Sequence, residues 1–217
     1  MNTSSPSGQI QLRTMLALGR ANDPVFGCWL DVAAATGARR GEVCGLRWSD
    51  IDLRGRTVRI ERSVAVTRTE GVIVKTTKTD RFRMVSLTRQ AAGSLGELRA
   101  ASMRTVSAEG RDFDADCFIF SSDPLRQRPW RLERVTRRWE RLRSSANLDH
   151  VKIHGIRHFV ATELLTAGFD LRTVANRLGH ARTSTTLDIY WAWVPAQDTA
   201  AADHLDRVLV DDLAERS

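Results

Sequence analysis

Tyrosine occurs once in the 217 residues, at Tyr190, and lysine only three times, at Lys75, Lys78 and Lys152. Any chemistry that needs a phenol therefore falls on a single position. Cysteine is equally scarce: Cys28, Cys44 and Cys117 are odd in number and widely spaced, which suits neither a disulfide framework nor a zinc site, so reduced, buried thiols are expected. No stretch approaches the roughly 20 apolar residues of a membrane-spanning helix. The opening MNTSSPSGQIQLRT also lacks the basic, apolar, small-residue order of a signal peptide. A soluble, cytoplasmic chain with no membrane partner is expected. No glycine-rich loop ends in Lys-Ser or Lys-Thr, so no nucleotide cofactor is implied.

What the chain has instead is arginine. Lysine and arginine together number 33 against 26 acids, a net charge of +7, and 42% hydrophobic residues supply a core for one domain or two small ones. A polyanion is the first partner to consider, although arginine richness also follows from a GC-rich coding sequence. The charge is uneven. RQRPWRLERVTRRWERLR, from Arg126 to Arg143, holds eight arginines against two glutamates, whereas Ala196 to Ser217 holds six acids against two arginines. The first stretch could meet a phosphate backbone; the second could not.

Apolar residues at helical spacing mark Ile10–Ala21 and Pro24–Thr36, the latter with Asp23 as cap and a proline in its first turn. A short helix over Arg40–Trp48 follows TGAR. TVRIERSVAV reads as a β-branched strand, and GVIVKTT and FRMVSLT as two more, giving one small antiparallel sheet in an otherwise helical chain. Further helices are expected from Arg89 to about Ala108, over Trp130–Ala146, Ile153–Ala167, Leu171–Leu178 and Thr183–Trp193, and last over Ala196–Leu213, with CFIF as a short buried segment. In Trp130–Ala146, Leu132, Val135, Trp139 and Leu142 share one face. Arg134, Arg137, Arg138 and Arg141 lie largely off it, either as DNA-binding candidates or as a solvated face. No internal repeat or linker divides the chain.

Three segments could carry chemistry. TGARRGEVCGLRWSDID delivers Arg39 at a helix start, next to Arg40, with Glu42 three residues on, within reach of a backbone N–H or an arginine. HGIRHFVATELLTAG sets His154 and Arg157 three apart, on one helix face; in most proteins such a pair is a buried structural histidine beside an exposed arginine. RLGHARTSTTLDIYWAW places His180 after Leu-Gly and Tyr190 ten residues beyond, with Ser184 or Thr185 able to cap the intervening helix.

Taken in order, TGxRxxE, HxxR, and LGH followed at ten residues by Tyr resemble the catalytic domain of the tyrosine recombinases, the phage-integrase family. The resemblance runs from about Gln11 to Val210 and includes WSDID and KTDRFRMVSL. It implies a mainly α fold with a small antiparallel β-sheet, and an enzyme that cuts and rejoins double-stranded DNA through a 3′-phosphotyrosine, without metal, ATP or other cofactor. Tyr190 matches the nucleophile, and Arg39 and Arg157 match the arginine pair on the nonbridging oxygens. Lys78, with Lys75 as rival, matches the lysine that protonates the leaving 5′-oxygen. His154 matches the histidine that handles the tyrosine proton, His180 the one that hydrogen-bonds the phosphate, and Glu42 an acidic position holding the arginines in place. Arg157 is thereby expected as a surface-facing phosphate ligand.

The chain departs from the family at Gly155, where an acid is frequent, and at Ser86, where proline is frequent. Only 38 residues precede Arg39, so the helical core-binding domain usual in the family is expected to be absent. The division expected is a flexible segment at 1–10, a catalytic domain at 11–195, and an acidic C-terminal helix or tail at 196–217 belonging to the same domain. That last segment suits self-association as a synaptic tetramer on DNA, or folding back on its own domain. A mobile-element integrase or other site-specific recombinase is the reading the motifs favour. A non-catalytic DNA-binding accessory module of the same fold and a type IB topoisomerase-like enzyme stand beside it.

Overall fold

The computed structural model describes residues 6–67, 71–76 and 82–179. Seven helices and five short strands run in the order α1 (Pro6–Asn22), α2 (Pro24–Thr36), α3 (Arg40–Cys44), β1 (Ile51–Asp52), β2 (Thr57–Ile60), β3 (Arg62–Thr67), β4 (Gly71–Thr76), β5 (Arg83–Ser86), α4 (Arg89–Ala108), α5 (Leu132–Ser145), α6 (Gly155–Thr166) and α7 (Leu171–Leu178). The mainly helical reading with small antiparallel sheets holds. No helix among the described residues is long and apolar enough to cross a membrane.

The scaffold is built on α2. Its residues Phe26–Ala33 are all buried, and α1, α4 and α6 pack around it. The start follows the local chemistry: the Asp23 carboxylate accepts the Phe26 N–H at 3.1 Å, and Pro24 occupies the first turn. Inside this apolar helix Asp31 is buried but fully engaged. It pairs with Arg20 of α1 at 2.6 Å and accepts the Ser94 hydroxyl of α4 at 2.6 Å, joining three helices through one carboxylate. The three cysteines are free and buried, and burial pushes the Cys28 and Cys44 thiols well up from their ordinary value.

The expected single sheet is two. β1, β2 and β5 form one antiparallel sheet, with Val58 opposite Val85 and Ile60 opposite Arg83, and β3 and β4 form a separate hairpin. TVRIERSVAV therefore breaks at Glu61. The partner strand β5 begins at Arg83, opposite Ile60, so the ladder has no further partner there. Arg62 then grips Asp50 through both guanidinium ends, at 3.0 and 3.2 Å, and anchors the chain where it leaves for the hairpin.

The short helix expected over Arg40–Trp48 ends at Cys44, and a single 3₁₀ turn, Trp48–Asp50, follows. α4 and α7 fall where expected, and α5 buries Val135, Trp139 and Leu142 with Leu132 partly covered. Phe118, Ile119 and Phe120 are buried as CFIF suggested. The helices expected over Thr183–Trp193 and Ala196–Leu213 lie outside the described residues.

Packing of α1 on α2 is tight enough to be tested. A Cβ on Gly27 would stand 2.5 Å from the Arg20 Cα, backbone that cannot yield locally, whereas a Cβ on Gly93 of α4 would meet nothing within 4 Å. Gly27→Ala should destabilise the chain by about 1–3 kcal/mol in urea unfolding. Gly93→Ala should stabilise it by about 0.5–1 kcal/mol in the same measurement.

Candidate active site

The site forms where the C-terminus of α7 meets the ends of α2, α3 and β5. An α-helix ends with carbonyls that lack intrahelical partners and carry partial negative charge. At α7 three consecutive carbonyls each receive an arginine from a different element. Arg83 Nε donates to Arg177 O at 3.1 Å, Arg157 Nη1 to Leu178 O at 2.7 Å, and Arg39 Nη1 to Gly179 O at 3.1 Å. Gly179 closes the helix in the left-handed region at φ +70°, conformationally easy for glycine. It also leaves room that a side chain would take, since a Cβ there would lie 2.5 Å from Arg83 Nη1. Arg177 crosses to the carbonyls of Ala35 and Ser86 at 2.6 and 2.9 Å, fastening α7 to α2 and β5.

Arg39 stands immediately before α3, with its side chain about half exposed at 49%. Glu42, one turn into that helix, is buried, and both its oxygens are taken. Oε1 accepts Arg39 Nη1 at 3.1 Å and Arg83 Nη1 at 3.2 Å; Oε2 accepts the Arg39 backbone N–H at 2.8 Å and Arg83 Nη2 at 2.7 Å. Burial pushes the Glu42 carboxyl up. The Arg83 fork and charge, with the Arg39 N–H and charge, outweigh that and hold it below the usual carboxylate range. One carboxylate thus answers two guanidiniums and a backbone N–H.

Arg157 differs from expectation. It is only 7% exposed, and His154 beside it is exposed, the reverse of the common structural pairing. The reason is that α6 begins at Gly155: His154 sits at its N-cap, and Arg157, a turn inward, projects beneath the ends of α2 and α7. There Nη1 donates to Gly37 O and Leu178 O, each at 2.7 Å. Nη2 is buried and has no hydrogen-bond partner among the described residues. Burial first, then the nearby Arg39 and Arg83 charges, pull the guanidinium down to about 10, which leaves it charged at neutral pH.

A cavity of about 410 Å³ is lined by Arg39, Arg40, His154 and Arg157, with Ser63 and Trp29 among its walls. The structure thus brings together four of the residues singled out in the sequence, with Glu42 behind Arg39. Arg40 is tethered to the Thr136 hydroxyl of α5. Lys78, His180 and Tyr190 lie outside the described residues. Lys75, the rival to Lys78, is exposed on β4.

Helix α5 borders this cavity at its first residue and a second groove along its length. Leu132 lines the cavity, and the neighbouring Arg131, Arg134, Arg137, Arg138 and Arg141 line a groove of about 750 Å³ with Arg128. Arg134, Arg137 and Arg141 are exposed. Arg138 is not free: it pairs with Asp23 and lies 4.5 Å over the Trp130 ring.

The sequence reading missed Arg83 and Arg177. Arg83 was detectable, because it shares strand parity with the buried Val85, and a charged residue on the inward face of a strand asks for a partner.

The family model described as phage integrase family matches residues 9–195. Among curated proteins, the chain is 25% identical over 199 residues to the ICEBs1 integrase of Bacillus subtilis (strain 168), covering 92% of this chain and 53% of that protein. It is 31% identical over 159 residues to the tyrosine recombinase XerC of Corynebacterium efficiens, covering 72% and 43%. The chain spans about half the length of the curated relatives it matches. Two solved structures share its fold. XerA recombinase has a TM-score of 0.66 at 24% identity, over 90% of this chain and 63% of that one. The Tn1549 transposon integrase, in complex with circular intermediate DNA, has a TM-score of 0.72 at 19% identity, over 93% and 66%. With the motif order, the arginine–glutamate cluster and the family match over residues 9–195 in agreement, the chain belongs to the phage integrase family, the tyrosine recombinases.

Proposed function

We propose that this chain is the catalytic domain of a site-specific DNA recombinase, cutting and rejoining strands of double-stranded DNA through a 3′-phosphotyrosine at Tyr190. The observation that carries this reading is the buried Nη2 of Arg157, without a hydrogen-bond partner among the described residues, in a cavity shared with the half-exposed Arg39 and with His154. A buried guanidinium with donors to spare and an excess of like charge around it is complementary to an anion, and a planar fork suits two nonbridging phosphate oxygens. In-line displacement at a phosphodiester accumulates charge on those oxygens, so donors fixed beforehand stabilise the transition state more than the ground state.

The roles then follow from position and type. Tyr190 Oη attacks phosphorus; the P–O bond to the 5′-oxygen breaks, and that oxygen leaves with a proton from Lys78. Arg39 and Arg157 hold the nonbridging oxygens, His180 hydrogen-bonds the phosphate, and His154, beside Arg157 at the cavity, assists the tyrosine proton. Rejoining is the same chemistry in reverse, with a different 5′-hydroxyl as nucleophile, so the phosphotyrosine conserves the bond energy. The groove on α5 extends the positive surface away from the cavity. Arg134, Arg137 and Arg141 are placed there to meet neighbouring backbone phosphates, while the tethered Arg40 and Arg138 shape the surface. Assembly as a synaptic tetramer through the C-terminal segment belongs to the same proposal, as does a cytoplasmic location.

The test is a denaturing-gel assay for covalent protein–DNA adduct on a nicked duplex from the DNA flanking the gene. An adduct is expected, and its loss in Tyr190→Phe assigns the nucleophile. DNA binding without any adduct would replace the reading with a non-catalytic accessory module, and relaxation of plasmids lacking the site would replace it with a topoisomerase.

Arg157→Lys should slow adduct formation by about 10²–10³-fold, as for loss of one preorganised donor, with gel-shift affinity little changed. Arg157→Ala should also lower folding stability by about 2–4 kcal/mol in urea unfolding, because it removes two charged hydrogen bonds that hold the ends of α2 and α7. In the groove, replacing Arg134, Arg137 and Arg141 by alanine should weaken binding to duplexes of any sequence. It should flatten the plot of log affinity against log salt by roughly 0.9 for each phosphate that is no longer neutralised.

A further inference from the structure

The three arginines at the end of α7 are not equivalent. Arg39 and Arg157 line the cavity, but Arg83 does not. Its side chain is 15% exposed, and each of its three nitrogens is engaged: Nε with Arg177 O at 3.1 Å, Nη1 with Glu42 Oε1 at 3.2 Å and Nη2 with Glu42 Oε2 at 2.7 Å. A guanidinium so engaged, and outside the cavity lining, is not placed as a phosphate clamp. Its surroundings point to a different task. It opens β5, five residues after Lys78 in the chain; it forks onto the carboxylate that also holds Arg39; and it grips the last turn of α7, three residues before His180. Gly179, between that turn and His180, leaves the space the guanidinium fills.

Resting on the function proposed above, we propose that Arg83 is a positioning residue of the strand-transfer reaction, holding Glu42 so that Arg39 stays available to phosphate and fastening the start of β5 to the end of α7. The first half is electrostatic. Glu42 shares its oxygens between Arg39 and Arg83; with Arg83 gone, its whole charge falls on Arg39, which is drawn inward and partly neutralised. Three guanidiniums against one carboxylate become two against one. The second half is geometric: β5 and the end of α7 are joined through Arg83 and through Arg177, and Arg83 ties β5 to Glu42, while Arg39 separately ties Glu42 to the end of α7. A lysine would keep the charge but not the two-oxygen fork.

The consequence for pH follows from the groups that, among the described residues, face Glu42: Arg39 beside α3, Arg83 on β5 and Arg157 on α6, with carbonyls at the end of α7. Without Arg83 the Glu42 carboxyl loses the fork and charge that lower it most, so it rises. It then protonates at a higher pH, and the Arg39 backbone and side chain lose their acceptor over that range.

The experiment measures adduct formation at saturating protein on the nicked flanking duplex from pH 5 to 9, with gel-shift affinity and melting temperature, for the unaltered chain and its variants. Arg83→Gln should lower the rate constant by between about 10- and 100-fold, the loss typical of a misplaced group remote from the reacting atoms. Affinity should hold, and the acid limb of the rate profile should move to higher pH. Adding Glu42→Gln to Arg83→Gln should abolish that movement, since no carboxyl remains to titrate. Arg83→Lys should fall between, and carries the test if Arg83→Gln melts below the assay temperature. An unaltered profile and rate in a folded Arg83 variant would overturn the proposal, as would a loss that follows melting temperature and affinity equally at every pH. If the unaltered chain itself forms no adduct, the function fails first and the Arg83 proposal with it.

Discussion

The arrangement depends on the C-terminus of α7, where three successive carbonyls are each capped by an arginine from a different part of the chain. A helix end attracts cations, but by only about 0.3–1 kcal/mol each. Burying a guanidinium without a full counter-charge costs several kcal/mol. Among the described residues one carboxylate, Glu42, is present for Arg39, Arg83 and Arg157, so the cluster they form is held together by hydrogen bonds and packing while its charge stays unbalanced. In the function proposed, that imbalance is what the phosphate answers. A second buried acid would have stabilised the fold and filled the site.

Rigidity for this imbalance comes from the helices behind it. α2 is buried almost from end to end, its C-terminal Gly37 offers a carbonyl to Arg157, and Arg177 ties α7 to the Ala35 carbonyl of the same helix. The apolar contacts of Val160, Ala161 and Leu165 with Val174 and Leu178 seat α7 against α6. The donors that the proposed reaction calls on are therefore mounted on packed helix ends and a strand rather than on free loops. The same logic separates the α5 arginines. Arg138 is absorbed by Asp23 and Trp130, whereas Arg134, Arg137 and Arg141 keep the exposure that binding a long polyanion requires.

Periodicity was a good guide wherever burial is one-sided. α4 and α7 were legible to the residue, and Asp23-Pro24 marked the start of α2, because caps and apolar stripes are local signals. It failed at Glu61, where a continuous β-branched run divides between two sheets; which partner a strand finds is a non-local matter. It also failed for the environments of His154 and Arg157. Their spacing told that they are neighbours, but the helix start at Gly155 and the roof formed by α2 and α7 decided that the histidine is exposed and the arginine buried.

Residue identity and order, available without any coordinates, determined the family and put forward the single tyrosine and the pair Arg39 and Arg157, because the motifs that carry the family signal are side-chain types in a fixed order. What only the tertiary structure decided is how those groups are held. Arg83 and Glu42 are 41 positions apart, and Arg157 and Gly37 are 120 apart. Hydrogen bonds and charge act over a few ångströms, and which distant residues come within that range is set by how the helices pack.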